Sequence, residues 1–336
     1  MKRVGGVTEQ FLSYETFDKA EKMARYGKEN KRRDIKSFLK TYNTAELRRK
    51  ALMKISDAVK DDTFVSSEVR IKYMITGGKQ RKICTVPFYP DRILHFATYI
   101  MIQERCAKVF TDSVYSYDRG VHELTRNARK IIRRWGDAPL YLAKFDIVKF
   151  YDSIDPEIVM QQLRNLIKDK TLLWAIQEML DSHDRVLIGM LLSTVISTLY
   201  LSPIDRFVRE ELKVKHYYRF ADDFILLHTD KKFLVNASWR IRQMLFYTLK
   251  LDVRYALVFN IEKRPLDFCG YIHHKTHVLI RKGTKKKFIK NRHNPKSVAS
   301  YMGMLKWCDS KHLIHKVTNK NNYAKKRGYR AETTSA

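Results

Sequence analysis

The sequence has few cysteines, no long apolar run and a shortage of acidic residues. Its four cysteines (Cys84, Cys106, Cys269 and Cys308) show no paired spacing, so we expect reduced thiols and a cytoplasmic protein. No apolar run approaches the ~18 residues that a membrane-spanning helix needs. The first residues also lack the apolar stretch of a signal peptide. These absences argue against secreted disulfide-rich proteins and against membrane-spanning ones.

Basic residues dominate the charge. The 336 residues include 66 Lys and Arg but only 36 Asp and Glu, which gives a formal net charge of +30. This excess is larger than solubility requires and indicates a polyanionic partner. Nucleic acid is favoured, because phosphate contacts dominate such binding whatever the base sequence. An anionic membrane surface is the alternative that charge alone leaves open.

Hydrophobic periodicity predicts a mixture of helices and short strands. Apolar positions at helical spacing fill the first 60 residues, and two strands at 69–75 and 82–87 form a basic hairpin. Further helices are predicted at 91–110, 121–135, from Asp155 onward, 189–212 with a bend at Pro203, and 233–249. Strands are predicted at 140–147, 215–220 and 224–228, with strand-like segments up to residue 280.

Three aspartates lie at the ends of apolar strands. Asp146 ends the predicted strand 140–147, where a carboxylate is costly unless it is solvated or bound to a cation. Asp222 and Asp223 follow 76 residues later in the tight turn of an apolar hairpin, where like charges repel. Carboxylates from two strand ends suit a pair of Mg²⁺ ions about 3.5–4 Å apart. An acidic pair alone is weak evidence for a metal site, however. Asp222-Asp223 can also be explained as residues that simply favour a turn.

The residues around these aspartates resemble the motifs of reverse transcriptases. Segments 146–155 and 218–223 resemble the two catalytic motifs, and segments 188–193 and 201–205 resemble the substrate-pocket motif between them. Upstream, segment 79–83 is similar to the basic fingers segment, and downstream 266–271 is similar to the hairpin that grips the primer end. These motifs follow the family's order over roughly residues 65–315.

This resemblance implies an α+β fold, a right-hand polymerase with fingers, a palm of antiparallel sheet plus helices, and a small helical thumb. It assigns 1–92 to an N-terminal extension and fingers, and 93–155 to the first part of the palm. Residues 156–187 would be a fingers insertion, and 188–275 the second part of the palm with the primer grip. A basic thumb at 276–318 and a flexible tail at 319–336 would complete the chain.

The resemblance also implies an RNA-directed DNA polymerase and a role for each motif. Asp146, Asp222 and Asp223 would be catalytic and, together with Ile147, would hold two Mg²⁺ ions. The incoming dNTP would contact Lys79, Arg81, Lys149, Phe150, Tyr151, Ile188, Gly189, Ser193 and Thr194. The primer grip would consist of Phe268, Cys269, Gly270 and Tyr271. Arg281, Lys282, Lys285, Lys286 and Lys287, in a basic cluster at 281–296, would follow the nucleic-acid backbone.

Two pocket residues resemble one branch of the family. Ile188 and Thr194 stand where most members have Gln and Pro. Ile before Gly189, with Ser193 four residues later, resembles the bacterial and phage reverse transcriptases of diversity-generating retroelements, although Thr194 departs from that branch's usual Gln. Such enzymes copy a template-repeat RNA into cDNA with errors at template adenines. The implied partners are this RNA, the cDNA/RNA duplex, dNTPs and a small basic accessory variability protein that forms a pentameric ring. The implied location is the bacterial cytoplasm, with a bacterial or phage gene.

Several other interpretations stay open. A group II intron-type, retron or phage-defence reverse transcriptase would share the chemistry but differ in its RNA, and a non-catalytic RNA-binding scaffold would lack the chemistry. We find neither the retron Asn-Ala-x-x-His element nor a maturase region. Cys269, His273 and His277 recur at four-residue steps, but in a strand-rich segment this spacing does not direct three ligands to one zinc ion.

Overall fold

The computed structural model describes residues 5–76, 79–136, 138–182 and 191–317, with the side chains at 76 and 79–81 left out. The fold is a mixture of helices and antiparallel strands. It divides into two compact units. The first is drawn from Met1–Ser113, Ile147–Leu212 and Arg240–Arg254, and the second from Val114–Asp146, Lys213–Trp239 and Tyr255–Ala336. Within the described ranges, no helix is both long and apolar enough to cross a membrane.

The first unit opens with four helices, as the periodicity of the first 60 residues predicts. These are α1 (Thr8–Leu12), α2 (Tyr14–Arg25), α3 (Arg33–Thr41) and α4 (Ala45–Lys60). The Ser13 hydroxyl caps α2 by accepting a hydrogen bond from the Thr16 amide, which satisfies one of the free amides of the first turn. Phe17 and Ala20 lie on the fully buried face of α2, and α2 packs against α5 (Ile93–Ala107).

A two-stranded hairpin precedes α5. Strands β1 (Arg70–Thr76) and β2 (Lys79–Thr85) are antiparallel, and Arg70 lies opposite Thr85. The prediction placed the second strand at 82–87, about three residues too late. Thr76 already pairs with Lys79, so the basic residues that the hydrophobic pattern assigned to a loop belong to the strand.

The rest of the first unit is helical. It contains α7 (Pro156–Arg164), α8 (Lys170–Asp181), α9 (Leu191–Tyr200) and α10 (Ser202–Arg206), then a π-helical turn at Phe207–Glu211. Helix α7 starts as predicted, because the Asp155 carboxylate accepts hydrogen bonds from the amides of Glu157 (2.9 Å) and Ile158 (3.4 Å). The single bent helix predicted at 189–212 is divided, because Pro203 has no amide hydrogen and starts a new helix at its first turn.

A four-stranded sheet forms the centre of the second unit. Its strand order is β4 (His216–Phe220), β5 (Asp223–His228), β3 (Tyr141–Ile147) and β6 (Val253–Asn260), which confirms the three strands predicted up to residue 228. Helix α6 (Gly120–Arg134) packs Leu124 and Ile132 into the same core as Leu142 of β3 and Ile225 of β5. Helix α11 (Lys231–Leu249) leads from β5 to β6.

Neighbouring strands of this sheet are held by an aromatic pair. Phe145 of β3 lies opposite Phe224 of β5, and their fully buried rings stack with centroids 4.6 Å apart. Truncating a buried phenylalanine costs about 3–5 kcal/mol, so this pair is a major contribution to the register. The register matters because an aspartate adjoins each phenylalanine: Asp146 follows Phe145, and Asp223 precedes Phe224.

The last part of the described chain forms a smaller, three-stranded sheet followed by two helices. Strands β7 (Leu266–Phe268), β8 (Tyr271–His273) and β9 (Val278–Ile280) lead to α12 (Lys282–Lys290) and α13 (Pro295–Leu305). The Tyr271 hydroxyl hydrogen-bonds the His122 Nδ1 atom at 2.9 Å and donates to the Met304 carbonyl at 3.2 Å, which ties α6, β8 and α13 together. The predicted tail at 319–336 lies outside the described residues.

Candidate active site

The three predicted carboxylates lie at one end of the central sheet. Asp146 is the sixth residue of β3, Asp222 lies in the turn that joins β4 to β5, and Asp223 is the first residue of β5. Strands β3 and β5 are antiparallel with Phe145 opposite Phe224, so Asp146 and Asp223 continue from this pair toward the same sheet end. The register therefore brings together residues that are far apart in sequence, as the prediction requires.

A buried arginine supports the acidic turn. Ala221 has a left-handed backbone with φ +53°, a conformation that costs a residue other than glycine roughly 1–2 kcal/mol. The Arg219 side chain is fully buried and donates a hydrogen bond from Nη1 to the Ala221 carbonyl at 3.1 Å. This bond supports the left-handed residue that directly precedes Asp222 and Asp223.

Crowding perturbs the ionisation of Asp223. Burial, together with the neighbouring Asp222 and Asp146 carboxylates, raises the pKa of this carboxyl from its ordinary value of 3.8 to about 6, against the opposing effects of Lys144 and Arg281. The Lys144 ammonium lies 3.7 Å from the Asp223 Oδ1 atom. The cations already present therefore do not fully offset the cost of ionising Asp223 among its neighbours.

The predicted primer-grip hairpin lies next to these carboxylates within the second unit. Its turn consists of Cys269 (φ +48°) and Gly270 (φ +90°), and the second of these values requires the freedom of glycine. The Arg281 amide donates to the Gly270 carbonyl at 3.2 Å. Burial raises the pKa of the Cys269 thiol, and the nearby Asp223 carboxylate raises it further. This thiol is therefore neutral, and it adds no charge to the acidic cluster.

The four predicted backbone-binding lysines are exposed and can contact a polyanion. Lys282, Lys285, Lys286 and Lys287 are exposed on the first turns of α12. Arg281 differs, because its Nε atom donates to the Asp267 Oδ1 atom at 2.5 Å. Arg281 therefore contributes to the hairpin itself as well as to the basic cluster.

The predicted nucleotide-binding residues that the structure describes belong to the first unit. Lys149 has a left-handed backbone (φ +41°) and precedes a 3-10 turn in which Phe150 is buried and Tyr151 is half-buried. The Phe150 ring meets the Tyr151 ring edge-on at 5.4 Å, and α9 carries Ser193 and Thr194. Ile188 and Gly189 lie outside the described residues, as do the side chains of Lys79 and Arg81.

The donor atoms suit a hard divalent cation. Three carboxylates offer only oxygen ligands, which Mg²⁺ prefers, and a bound cation would relieve the repulsion that raises the Asp223 pKa. Within the part of the chain that the structure describes, no three His, Cys, Asp or Glu side chains are already gathered as a metal site. The carboxylates would therefore have to draw together around an ion.

The comparison with known proteins settles the family. The model of the family "Reverse transcriptase (RNA-dependent DNA polymerase)" matches residues 76–263, which is more than half of the chain. The chain belongs to this family. The match includes Asp146, Asp222 and Asp223, and it ends before the primer-grip hairpin and the basic cluster.

Solved structures of two telomerases are similar to this reverse transcriptase. Apo telomerase from Candida tropicalis has a TM-score of 0.49 and 14% identity, over 72% of this chain and 54% of that one. Telomerase from Candida albicans with a TWJ fragment of telomeric RNA has a TM-score of 0.47 and 13% identity, over 73% and 55%. The chain thus spans about half the length of these proteins. No curated protein matches it in sequence.

The motifs did not identify three residues that shape this reverse transcriptase site. Lys144, Asp267 and Arg219 all lie within or beside the recognised motifs, yet no role was assigned to them. One signal was available for Lys144. It precedes Asp146 by two positions, and alternate residues of a strand share one face.

We expect Asp223 to titrate near pH 6 in the metal-free protein, as its raised pKa of about 6 requires. A carboxyl whose pKa is raised by folding stabilises the fold fully below its ordinary value of 3.8 and loses this contribution as pH rises through about 6. Asp222→Asn removes a like charge and should lower the midpoint, while Lys144→Met should raise it. Carbon-13 NMR of labelled aspartate measures these shifts, and Mg²⁺ should lower the midpoint. A wild-type midpoint at or below pH 4 without metal would contradict the crowding.

Proposed function

We propose that this chain is an RNA-directed DNA polymerase whose catalytic residues are Asp146, Asp222 and Asp223. The observation that carries the proposal is the convergence of these carboxylates at one end of a buried antiparallel sheet, in a family of reverse transcriptases. A buried sheet end crowded with acids costs stability unless a cation compensates. Nucleotidyl transfer supplies a reason to keep this arrangement.

Two Mg²⁺ ions would complete this site, held by Asp146, Asp222 and Asp223. When bound, such ions activate the primer 3′-hydroxyl and neutralise charge on the triphosphate and the leaving pyrophosphate. The contribution of Ile147 rests on the resemblance alone. The protein's own part is to hold the ligands, since Arg219 supports the turn and the Phe145–Phe224 pair fixes the register.

The polymerase parts follow the boundaries that the resemblance implies. The central sheet supports a palm at 93–155 and 188–275, and helices α12 and α13 support a small basic thumb at 276–318. We assign 1–92 to the N-terminal extension and fingers, 156–187 to the fingers insertion and 319–336 to a tail. The exposed lysines at the start of α12 have the charge needed to follow a phosphate backbone.

Removing the paired turn carboxylates should abolish polymerisation. We expect the Asp222→Asn, Asp223→Asn double variant to lower the primer-extension rate at least ~10³-fold, since metal-bound charge is worth several kcal/mol in such transition states. The chain supplies a matched control in Asp61 and Asp62, another adjacent pair, which is exposed at the end of α4. The same substitutions there should leave the rate within about twofold.

The outcomes of this extension assay separate enzyme from scaffold. An unchanged rate in the Asp222, Asp223 variant would contradict the catalytic assignment. A wild-type protein that binds RNA and extends no primer would instead support a non-catalytic RNA-binding scaffold.

Tyr151 is the proposed barrier against ribonucleotides. It lies five residues after Asp146 in the position where the family places the ring that blocks a ribose 2′-hydroxyl, and its ring is half-buried beside Phe150. Tyr151→Ala should raise the ratio of ribonucleotide to deoxynucleotide incorporation at least ~10-fold, because the exclusion is steric. Tyr151→Phe keeps the ring and should keep the ratio. Single-nucleotide insertion kinetics provide the measurement, and an unaltered ratio in Tyr151→Ala would refute the role.

We further propose that this enzyme serves a diversity-generating retroelement of a bacterium or its phage. The support is sequence alone: Ile188 before the pocket Gly189, with Ser193 four residues later, resembles that branch. The substrate would then be a template-repeat RNA, and the partner a small basic accessory variability protein in a pentameric ring. Other prokaryotic reverse transcriptases, group II intron-like or defensive, are the alternative. A template repeat and a near-copy differing at adenines in the neighbouring DNA would distinguish them.

The apolar side chain of Ile188 suggests a cause for low fidelity. A glutamine beside the incoming nucleotide can hydrogen-bond to it, whereas isoleucine offers only shape, so discrimination against mispairs weakens. We expect Ile188→Gln to lower misincorporation opposite template adenine several-fold, which corresponds to the roughly 1 kcal/mol of one added hydrogen bond. Ile188→Leu keeps an apolar side chain and is the matched control. Sequenced cDNA with an equal adenine error rate in Ile188→Gln would overturn the explanation.

A further inference from the structure

Lys144 lies between the acidic turn and the primer-grip hairpin. It precedes Asp146 by two residues on β3, so both side chains emerge on the same face of the sheet. Only 13% of the Lys144 side chain is exposed. Its ammonium group has partners on two sides, both within the second unit.

The two partners of Lys144 differ in kind. Its Nζ atom donates a hydrogen bond to the Asp267 backbone carbonyl in β7 at 2.5 Å. The same atom lies 3.7 Å from Asp223 Oδ1, a distance that is an ion pair and is too long for a hydrogen bond. The directional contact is therefore with the hairpin, and the looser one is with the acidic turn.

The hairpin is fixed from its other side by Arg281. Its Nε atom pairs with the Asp267 carboxylate at 2.5 Å, while its amide donates to the Gly270 carbonyl at 3.2 Å. Asp267 is therefore held twice, by Lys144 at its carbonyl and by Arg281 at its side chain. Because the Gly270 turn follows three residues later, its position relative to Asp223 depends on these contacts.

We propose that Lys144 is a positioning residue that sets the distance between the primer-grip turn and Asp223. The inference rests on the proposed polymerase function, which gives the hairpin a primer 3′-end to hold. The Lys144 side chain joins the two structures directly, through its hydrogen bond to the Asp267 carbonyl and its ion pair with Asp223. An error of about 1 Å in the placement of reacting groups can cost about 10²-fold in rate, so a single lysine is enough to matter.

The test compares Lys144→Met with Lys144→Arg and with a control at Lys50. Methionine keeps length and packing but neither charge nor donor, whereas arginine keeps both. Lys50 is an exposed helix lysine paired with Glu46, so Lys50→Met controls for loss of one positive charge. Three readouts are needed: affinity for an RNA/DNA hybrid without divalent ion, kcat and KM for primer extension, and cross-linking from a photoreactive primer 3′-nucleotide to residues 268–271.

We expect Lys144→Met to lower kcat at least ~30-fold and to lose most of the cross-link, because the primer end is misplaced. Hybrid affinity should change less than about threefold, since exposed lysines supply the backbone contacts. Lys144→Arg should recover the cross-link and most of kcat. Lys50→Met should match the wild type in all three readouts.

Three results would overturn the positioning role. The first is a normal cross-link in Lys144→Met with reduced kcat, which would make Lys144 only a charge beside Asp223. The second is a fall in hybrid affinity that accounts for the whole loss. The third is a Lys144→Arg variant that folds and yet loses the cross-link. If Lys144→Met fails to fold, the cross-link of Lys144→Arg alone decides whether Lys144 has the positioning role. Affinity and cross-linking need no metal or turnover, so an inactive wild type would refute the polymerase proposal while the cross-link still decides the role of Lys144.

Discussion

The repulsion among three carboxylates at the end of a buried sheet is the constraint on which this structure depends. Asp146 and Asp223 lie at the same sheet end because Phe145 and Phe224 pair and stack across neighbouring strands. Burial and like charge raise the Asp223 pKa to about 6. The unfolded chain feels no such repulsion, so the arrangement costs folding energy that the surrounding core must offset. A cation bound at this site would relieve the repulsion, and this relief would add to the affinity for the cation.

The groups around the carboxylates have two separate tasks. Arg219 stabilises the left-handed Ala221, the residue directly before Asp222 and Asp223. Lys144 and Arg281 lower the Asp223 pKa, but each is also bonded to Asp267 of the neighbouring hairpin. The same cations that moderate the negative charge therefore also determine where the hairpin lies. A metal ion could replace their electrostatic effect without replacing this mechanical one.

The sequence patterns predicted those parts of the fold that depend only on residues close together in the chain. The apolar strand before Asp146 and the capping of α7 by Asp155 each follow from a few neighbouring residues, and the structure has both. Pro203 was predicted to bend one helix and instead starts a new one. The second strand of the hairpin was placed about three residues too late, because basic residues such as Lys79 and Arg81 carry no alternating apolar signal. The bond from Lys144 to Asp267 joins residues 123 positions apart, and no local pattern reports such a contact. Family motifs supplied the proposed catalytic residues, whereas tertiary geometry supplied the contacts that Lys144 and Arg219 make around them.

The central claim is that a divalent cation binds at this sheet end. The most direct test replaces Mg²⁺ with Fe²⁺ and maps where hydroxyl radicals generated by the bound Fe²⁺ cleave the protein backbone. Such radicals cut only the part of the chain that lies close to the ion. The account predicts cuts near Asp146 and near Asp222-Asp223 together, suppressed by excess Mg²⁺. It also predicts that the exposed pair Asp61-Asp62 is left intact. Cuts at only one of the two sheet segments, or equal cuts at Asp61-Asp62, would contradict it.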